Sequence, residues 1–199
     1  MRFPVPERAL IQTCPRCASP LQPVDLPFAS ARVQSGADVP AGPQVEILLD
    51  NLRSAFNVGS ILRAADGAGI RHAHLCGITP TPENPKVAKT ALSAEFVTPW
   101  SYAPNGVLLV EQLRAGGLPV WALEGGANAE PLTAALSAVP PALLIVAGNE
   151  LAGVDPGILS QCEKVVSLPM LGFKRSLNVA VAFGIAMYWL RFAPAFQDR

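Results

Sequence analysis

From residue 45 onward the chain alternates two hydrophobic patterns. Short, nearly solid apolar runs read as buried strands: VEILLD (45–50), HAHLCG (72–77), PVWALE (119–124), ALLIVAG (142–148) and KVVSLPM (164–170). EFVTPW (95–100) reads as a further strand. Between them lie segments with helical spacing: FNVGSILRAADGAG (56–69), PKVAKTAL (85–92), GVLLVEQLRAGG (106–117), DPGILSQC (155–162) and the closing SLNVAVAFGIAMYWLRF (176–192). Asn57 is placed to cap the first helix, and Gly67 and Gly69 are its stop signals. Asp155 is placed as an N-cap with Pro156 at the first helical position. Strands alternating with helices predict an α/β fold, a parallel sheet covered by helices on both faces. Ligands in such sheets bind outside the carboxyl ends of the strands.

Residues 1–43 have a different texture. Prolines stand at 4, 6, 15, 20, 23, 27, 40 and 43, and apolar periodicity is weak. The segment reads as a small irregular Cys/Pro-rich module ending in a linker over 30–43, with a second domain over 44–199. Cys14-Pro-Arg-Cys17 has the spacing of a zinc knuckle, which supplies two of the four ligands that a tetrahedral site needs. Cys76 and Cys162 fall on predicted core elements, and His72 and His74 open a predicted strand. No complete zinc site is therefore expected within the chain. A half-site, a site completed elsewhere and a redox pair all stay open for Cys14 and Cys17.

Composition narrows the partners. Half the residues are apolar, enough for a full core, while charged residues make up 15% and the formal net charge is zero. That balance counts against an extended duplex-binding surface and leaves room for a local basic patch. The longest apolar run, 179–190, is shorter than the roughly 20 residues that span a bilayer, so no membrane association is expected. The chain is expected to be cytoplasmic, with reduced thiols. No G-x-G-x-x-G follows the first strand, which argues against a dinucleotide cofactor.

Three segments carry polar residues where a plain α/β core would want none: NVGSILRAA (57–65), VAGNE (146–150) and LPMLGFKRSLNVAVAFGI (168–185). In this order they resemble the three motifs of the SpoU-type RNA methyltransferases, in the SPOUT superfamily of knotted, S-adenosylmethionine-dependent enzymes. The resemblance covers residues 45–192. It implies a SPOUT-type fold with a trefoil knot near the C-terminus, a homodimer with the active site at its interface, and methyl transfer to a ribose 2′-hydroxyl of tRNA or rRNA. Base methylation, as in other SPOUT branches, and a non-catalytic RNA-binding protein that keeps the fold are the alternatives.

By the same resemblance, Asn57, Arg63, Glu150, Ser176 and Asn178 carry the chemistry. Backbone groups at Leu123, Gly148, Leu168 and Leu177, with Met170 beside them, hold the methyl donor. Arg63, Lys174 and Arg175 meet RNA. Read without the resemblance, Arg63 is an arginine snorkelling past apolar neighbours, Gly148-Asn149 a strand-to-loop turn, and Asn178 a helix cap. The sequence departs from the family pattern at Leu151, where glycine commonly follows the glutamate and the next glycine here is Gly153. Ser93 also stands where the family often has glycine, in a segment that reads either as an RNA-touching loop or as a packed edge. Phe3 to Leu21 (3–21) resembles the latter half of a zinc ribbon.

Overall fold

The computed structural model describes residues 12–14, 17–21, 42–126 and 128–192. The chain divides into two compact units, Met1–Val39 and Pro40–Arg199. In the larger unit seven strands form one sheet: β1 (Gln44–Asp50), β2 (His72–Cys76), β3 (Trp100–Ala103), β4 (Val120–Leu123), β5 (Glu130–Pro131), β6 (Ala142–Ala147) and β7 (Lys164–Ser167). Their order is β3-β2-β1-β6-β4-β7-β5, and every pairing is parallel. The chain runs outward from β1 through β2 to β3, then crosses to the other side of β1. That reversal creates a crevice at the carboxyl ends of β1 and β6.

The alternating registers send side chains to two cores. Ile47, Leu49, Ala73, Leu143 and Ile145 meet the helices α1 (Ala55–Ala68), α2 (Pro85–Ala91) and α6 (Val179–Phe192). Leu48, Cys76, Leu144 and Val146 meet α3 (Gly106–Ala115) and α5 (Pro156–Leu159) through Val110 and Ile158. Both faces are covered, as the strand pattern predicts.

Three details tie the sequence to this packing. Helix α1 begins at Ser54, whose hydroxyl accepts the N–H of Asn57 at 3.3 Å, and ends at Gly69, left-handed at φ 64°. The predicted cap at Asn57 is therefore corrected: Ser54 fills that role one turn earlier, and Asn57 lies inside the helix with its side chain free for other partners. Gly59 lets α2 lie directly on α1, because a Cβ there would fall on the Thr90 hydroxyl and the Val87 carbonyl. Its conformational freedom is not what the position needs. Helix α6 buries Phe183, Met187 and Leu190, at spacings of four and three, against α1 and the sheet. Each such side chain contributes about 1.5–3 kcal/mol over its exposed state. The same helix leaves Val181, Ile185 and Tyr188 open on its other side.

Two assignments change. EFVTPW is not a strand: Ala94–Phe96 form a 3-10 turn and β3 starts only at Trp100. Its apolar residues Phe96 and Val97 are exposed, while Ala94 and Thr98 are buried, with Thr98 Oγ1 on the Leu62 carbonyl of α1 at 3.5 Å. The short β5 and the helical turn α4 (Leu132–Ala135) carry too few apolar residues to be visible in the sequence. The linker over 30–43 lies outside the described residues except for Gly42 and Pro43. Arg191, in the last turn of α6, fastens Pro43 by donating to its carbonyl at 2.8 Å and to that of Ala68 at 3.0 Å.

The turn after α2 holds two consecutive non-glycine residues in the left-handed region, Leu92 at φ 53° and Ser93 at φ 76°. Ser93 is exposed and makes no capping bond, so glycine at that position relieves strain without losing a contact. We expect Ser93→Gly to raise the stability by roughly 0.5–1 kcal/mol, the left-handed penalty less the added freedom of glycine in the unfolded chain. Thermal denaturation reads this directly, and a fall in Tm would contradict the assigned backbone.

Candidate active site

A single polar chain joins the three sequence motifs. At the end of β6 the strand turns sharply at Gly148, and a Cβ there would collide with the backbone of Gly153 and Val154 as the loop folds back. Asn149 and Gly153 close this loop with reciprocal backbone bonds of 2.9 Å, and the Asn149 side chain accepts from Leu151 and Ala152. The glycine missing at Leu151 is thus supplied two residues on: Gly153 takes the left-handed conformation at φ 77°. Asn149 also donates to the Asn51 carbonyl at 2.7 Å, anchoring the loop to the end of β1. Buried Asp50 accepts the Asp155 N–H at 2.9 Å from beneath, and burial raises its carboxyl above the ordinary value.

So held, Glu150 reaches the start of α1. Its carboxylate accepts the N–H of Arg53 at 2.9 Å and of Ser54 at 3.1 Å, and the Asn57 amide at 2.9 Å. Asn57 Oδ1 in turn accepts from the Asn178 amide at 3.0 Å. Asn178 Oδ1 accepts the N–H of Ala180 at 2.9 Å, capping α6. Capping is therefore part of the role of Asn178, and the link to Asn57 is the rest. Partial burial pushes the Glu150 carboxyl up, but the donors at Arg53, Asn57 and Ser54 outweigh it and hold the group below its usual value.

These residues floor a cleft of about 1940 Å³ at the carboxyl ends of β1, β4, β6 and β7. Of the predicted site residues, Asn57, Glu150, Ser176, Asn178, Leu123, Gly148, Leu168, Met170, Leu177, Lys174 and Arg175 all line it. Arg63 does not. It is exposed on α1, six residues beyond Asn57, and this chain alone does not bring it to the cleft. The sequence reading missed Arg53, Ser54, Glu124 and Phe173, which also line the cleft. A charged residue within three positions of the end of a buried strand, as at Arg53 and Glu124, is the signal that could have found two of them.

Residues 168–178 run without regular secondary structure along one wall. Among the described residues, no N–H of residues 170–177 donates to a protein group. A wall of unspent backbone donors opposite the Leu123 and Gly148 strand ends suits a small polar ligand held largely by main-chain groups.

In the smaller unit, the Cys14 N–H donates to Ser19 and the Ala18 N–H to Cys14, both at 2.8 Å, in a tight knuckle. The Ser19 hydroxyl and N–H, then Cys14, lower the Cys17 thiol below its ordinary value. Among the described residues, no group of three or more His, Cys, Asp or Glu side chains is placed to hold a metal. The two histidines are engaged within the larger unit, His74 Nε2 with Glu46 at 2.9 Å and His72 Nε2 with Ser101 at 2.8 Å.

Residues 44–188 match the family model described as SpoU rRNA Methylase family. A similar protein is the 23S rRNA guanosine 2′-O-methyltransferase RlmP of Bacillus subtilis, 33% identical over 147 residues, which are 73% of this chain and 57% of RlmP. Another is the 23S rRNA guanosine 2′-O-methyltransferase RlmB of Coxiella burnetii, 30% identical, covering 77% of this chain and 61% of RlmB. The chain thus spans about three fifths of the length of these relatives. Among solved structures, the AdoMet-bound rRNA methyltransferase of Sinorhizobium meliloti superposes with a TM-score of 0.69 at 26% identity, over 78% of this chain and 58% of that one. The SpoU methyltransferase AviRb of Streptomyces viridochromogenes, in complex with AdoMet, gives 0.67 at 25% identity, over 77% and 59%.

The Glu150 contact sets a pH dependence. A carboxyl held below its ordinary 4.5 in the folded state stabilises the fold above that value, and the contribution is lost as pH falls through the lowered one. Glu150→Gln replaces the acceptor by a group that meets N–H donors with its own amide. At pH 7 we expect it to cost about 1 kcal/mol, the typical loss of a helix cap. The gap in Tm between wild type and variant should close as pH falls below 4.5, and a gap that stays constant would show that charge plays no part in the contact.

Proposed function

The chain belongs to the SpoU rRNA methylase family, and from that premise we propose that it is an S-adenosylmethionine-dependent RNA methyltransferase acting on a ribose 2′-hydroxyl of rRNA or tRNA. The observation that carries this reading is the bonded chain Glu150–Asn57–Asn178, which joins all three motifs on the floor of one cleft. RlmP and RlmB are both named for 2′-O transfer, which favours ribose over base. The convergence of Asn57, Glu150, Ser176 and Asn178 disfavours a fold kept only for binding. The trefoil knot and the division at residues 43 and 44 belong to the same proposal.

Leu123, Gly148, Leu168 and Leu177 would hold the donor through main-chain groups, with Met170 beside them. When bound, the donor supplies a sulfonium methyl already activated for transfer. The protein's remaining task is to align the acceptor hydroxyl and handle its proton. Ser176 and Asn178 face that space from the start of α6. Glu150 accepts from three donors and acts as a positioning residue for Asn57. Arg63 is no base: stripping its guanidinium at neutral pH costs at least roughly 7 kcal/mol. Its role is to stabilise developing alkoxide charge or to grip a phosphate.

Arg63 needs a second copy to reach a cleft. Its neighbours on α1 abut α6, with Ala64 facing Gly184 and Gly67 facing the Tyr188 hydroxyl. Arg63 therefore flanks the exposed stripe Val181, Ile185 and Tyr188, 51%, 37% and 48% accessible. In the proposed homodimer this stripe is the contact surface, and Arg63 serves the partner's acceptor site.

Calorimetric titration should show binding of S-adenosylhomocysteine and none of NAD, and the converse would sink the assignment. Arg63→Ala should slow methyl transfer about 100-fold or more with donor affinity kept, whereas Asn178→Ala should impair both. Equal loss of donor affinity in the two variants would show this partition to be wrong. Sedimentation should give twice the chain mass for the wild type. Ile185→Arg should give a monomer that no longer transfers methyl groups, and a monomeric wild type that methylates RNA would contradict the shared site.

A further inference from the structure

Residues 170–175 carry two side chains whose exposure the donor site does not explain. Leu171 is 101% and Phe173 95% accessible, in the wall of the cleft that also carries Lys174 and Arg175. Arg53 lines the same cleft from the loop after β1, with its N–H fixed by Glu150 at 2.9 Å. Among the described residues, the side chains of Arg53, Lys174 and Arg175 make no ion pair or hydrogen bond.

The two carboxylates of the cleft form no ion pair with them. Glu150 is occupied as described, and Glu124 accepts the N–H groups of Val154 and Gly125, each at 3.0 Å. The chain as a whole is formally neutral, so this concentration of unpaired cations is local. The cleft also exceeds the roughly 300–1,000 Å³ of ordinary small-molecule sites, which leaves space beyond a donor.

An exposed aromatic ring beside unpaired cations matches the chemistry of unpaired nucleic acid. Base faces are open to stacking only where the strand is not paired, and phosphates take the cations. A duplex hides those faces and calls for a wider basic surface than three residues. A second copy of the chain fits this wall poorly, because covering Phe173 would also bury Lys174 and Arg175 without counter-charges. The apolar stripe of α6 carries no such burden.

We propose that Phe173 and Arg53 are acceptor-positioning residues: Phe173 stacks on a base, Arg53 together with Lys174 and Arg175 holds the flanking phosphates, and the substrate nucleotide is presented unpaired. The assignment deepens the methyltransferase reading and rests on it.

The test uses the full chain with S-adenosylhomocysteine and a short oligoribonucleotide containing 2-aminopurine, offered single-stranded or annealed to its complement. Single-stranded RNA should bind at least tenfold more tightly than the duplex and quench the 2-aminopurine. Phe173→Ala should weaken binding about five- to 150-fold and abolish the quench. Phe173→Trp should preserve both, and Phe173→Leu should fail like alanine, separating stacking from simple apolar cover. Arg53→Gln should lower the dependence of log Kd on log salt by about 0.7, the contribution of one phosphate contact on a single strand. Equal binding of duplex, wild-type behaviour of Phe173→Leu, or a monomeric Phe173→Ala in sedimentation would each overturn the inference. Loss of single-strand preference with S-adenosylhomocysteine still bound refutes only this assignment. No binding of S-adenosylhomocysteine refutes the reading beneath it.

Discussion

The carboxylate of Glu150 is the constraint on which the site depends. It stands where the loop after β6 meets the start of α1 and accepts the main-chain N–H groups of Ser54, the N-cap, and of Arg53 just before it. Its third donor, Asn57, is turned by this contact so that its own oxygen receives Asn178. Segments nearly a hundred residues apart in sequence are thus locked by one charged acceptor and two amides. Asn178 fixes the first turn of α6 in the same act, so the irregular wall over 168–178 is clamped at its C-terminal end. The cleft owes its shape to polar groups that are satisfied rather than to packing.

The scaffold beneath makes that precision possible. Asp50, Asn51 and Asn149 form a second tier of bonds under the loop, and all sit at the carboxyl ends of β1 and β6, the neighbours across which the strand order reverses. Buried strands hold these ends in fixed register, with Leu48 opposite Val146 and Leu49 opposite Ala147. Gly59 and Gly148 serve by having no side chain where backbone or a neighbouring helix must pass. In the first two motifs the missing side chain of each glycine is therefore a packing requirement, and Gly148 still presents its main chain to the cleft.

The fold was largely legible because its strands are fully buried and its helices amphipathic, two patterns with distinct periods. The errors fall where that contrast fades. EFVTPW has the aromatic and β-branched residues of a strand, yet Leu92 and Ser93 turn the chain left-handed just before it and a 3-10 turn follows. Asn57 looks like a cap because it precedes an apolar run, but Ser54 has both the shorter side chain and the extended backbone that a cap requires. At the site, the resemblance placed eleven residues that line one cleft, while Arg53 stands outside all three motifs and Phe173, inside the third, has no role assigned by it. Arg63 shows the opposite limit: its motif identifies it, but a single chain leaves it facing outward beside α6.

The charge state of the cleft bears on where the acceptor's proton goes in the proposed reaction. The titratable groups lining the cleft are Arg53, Lys174, Arg175, Glu124 and Glu150. Both carboxylates are tied to main-chain donors. Glu150 in particular is held below its ordinary value, which makes it a weaker base than a free glutamate. Glu150 is thus poorly suited to take a proton near neutrality. Catalysis by this geometry rests on holding the hydroxyl in line and on stabilising negative charge as it develops. A cation brought to the acceptor by a second copy, as Arg63 would be, contributes most under that division of labour, because it lowers the cost of the charge as it develops.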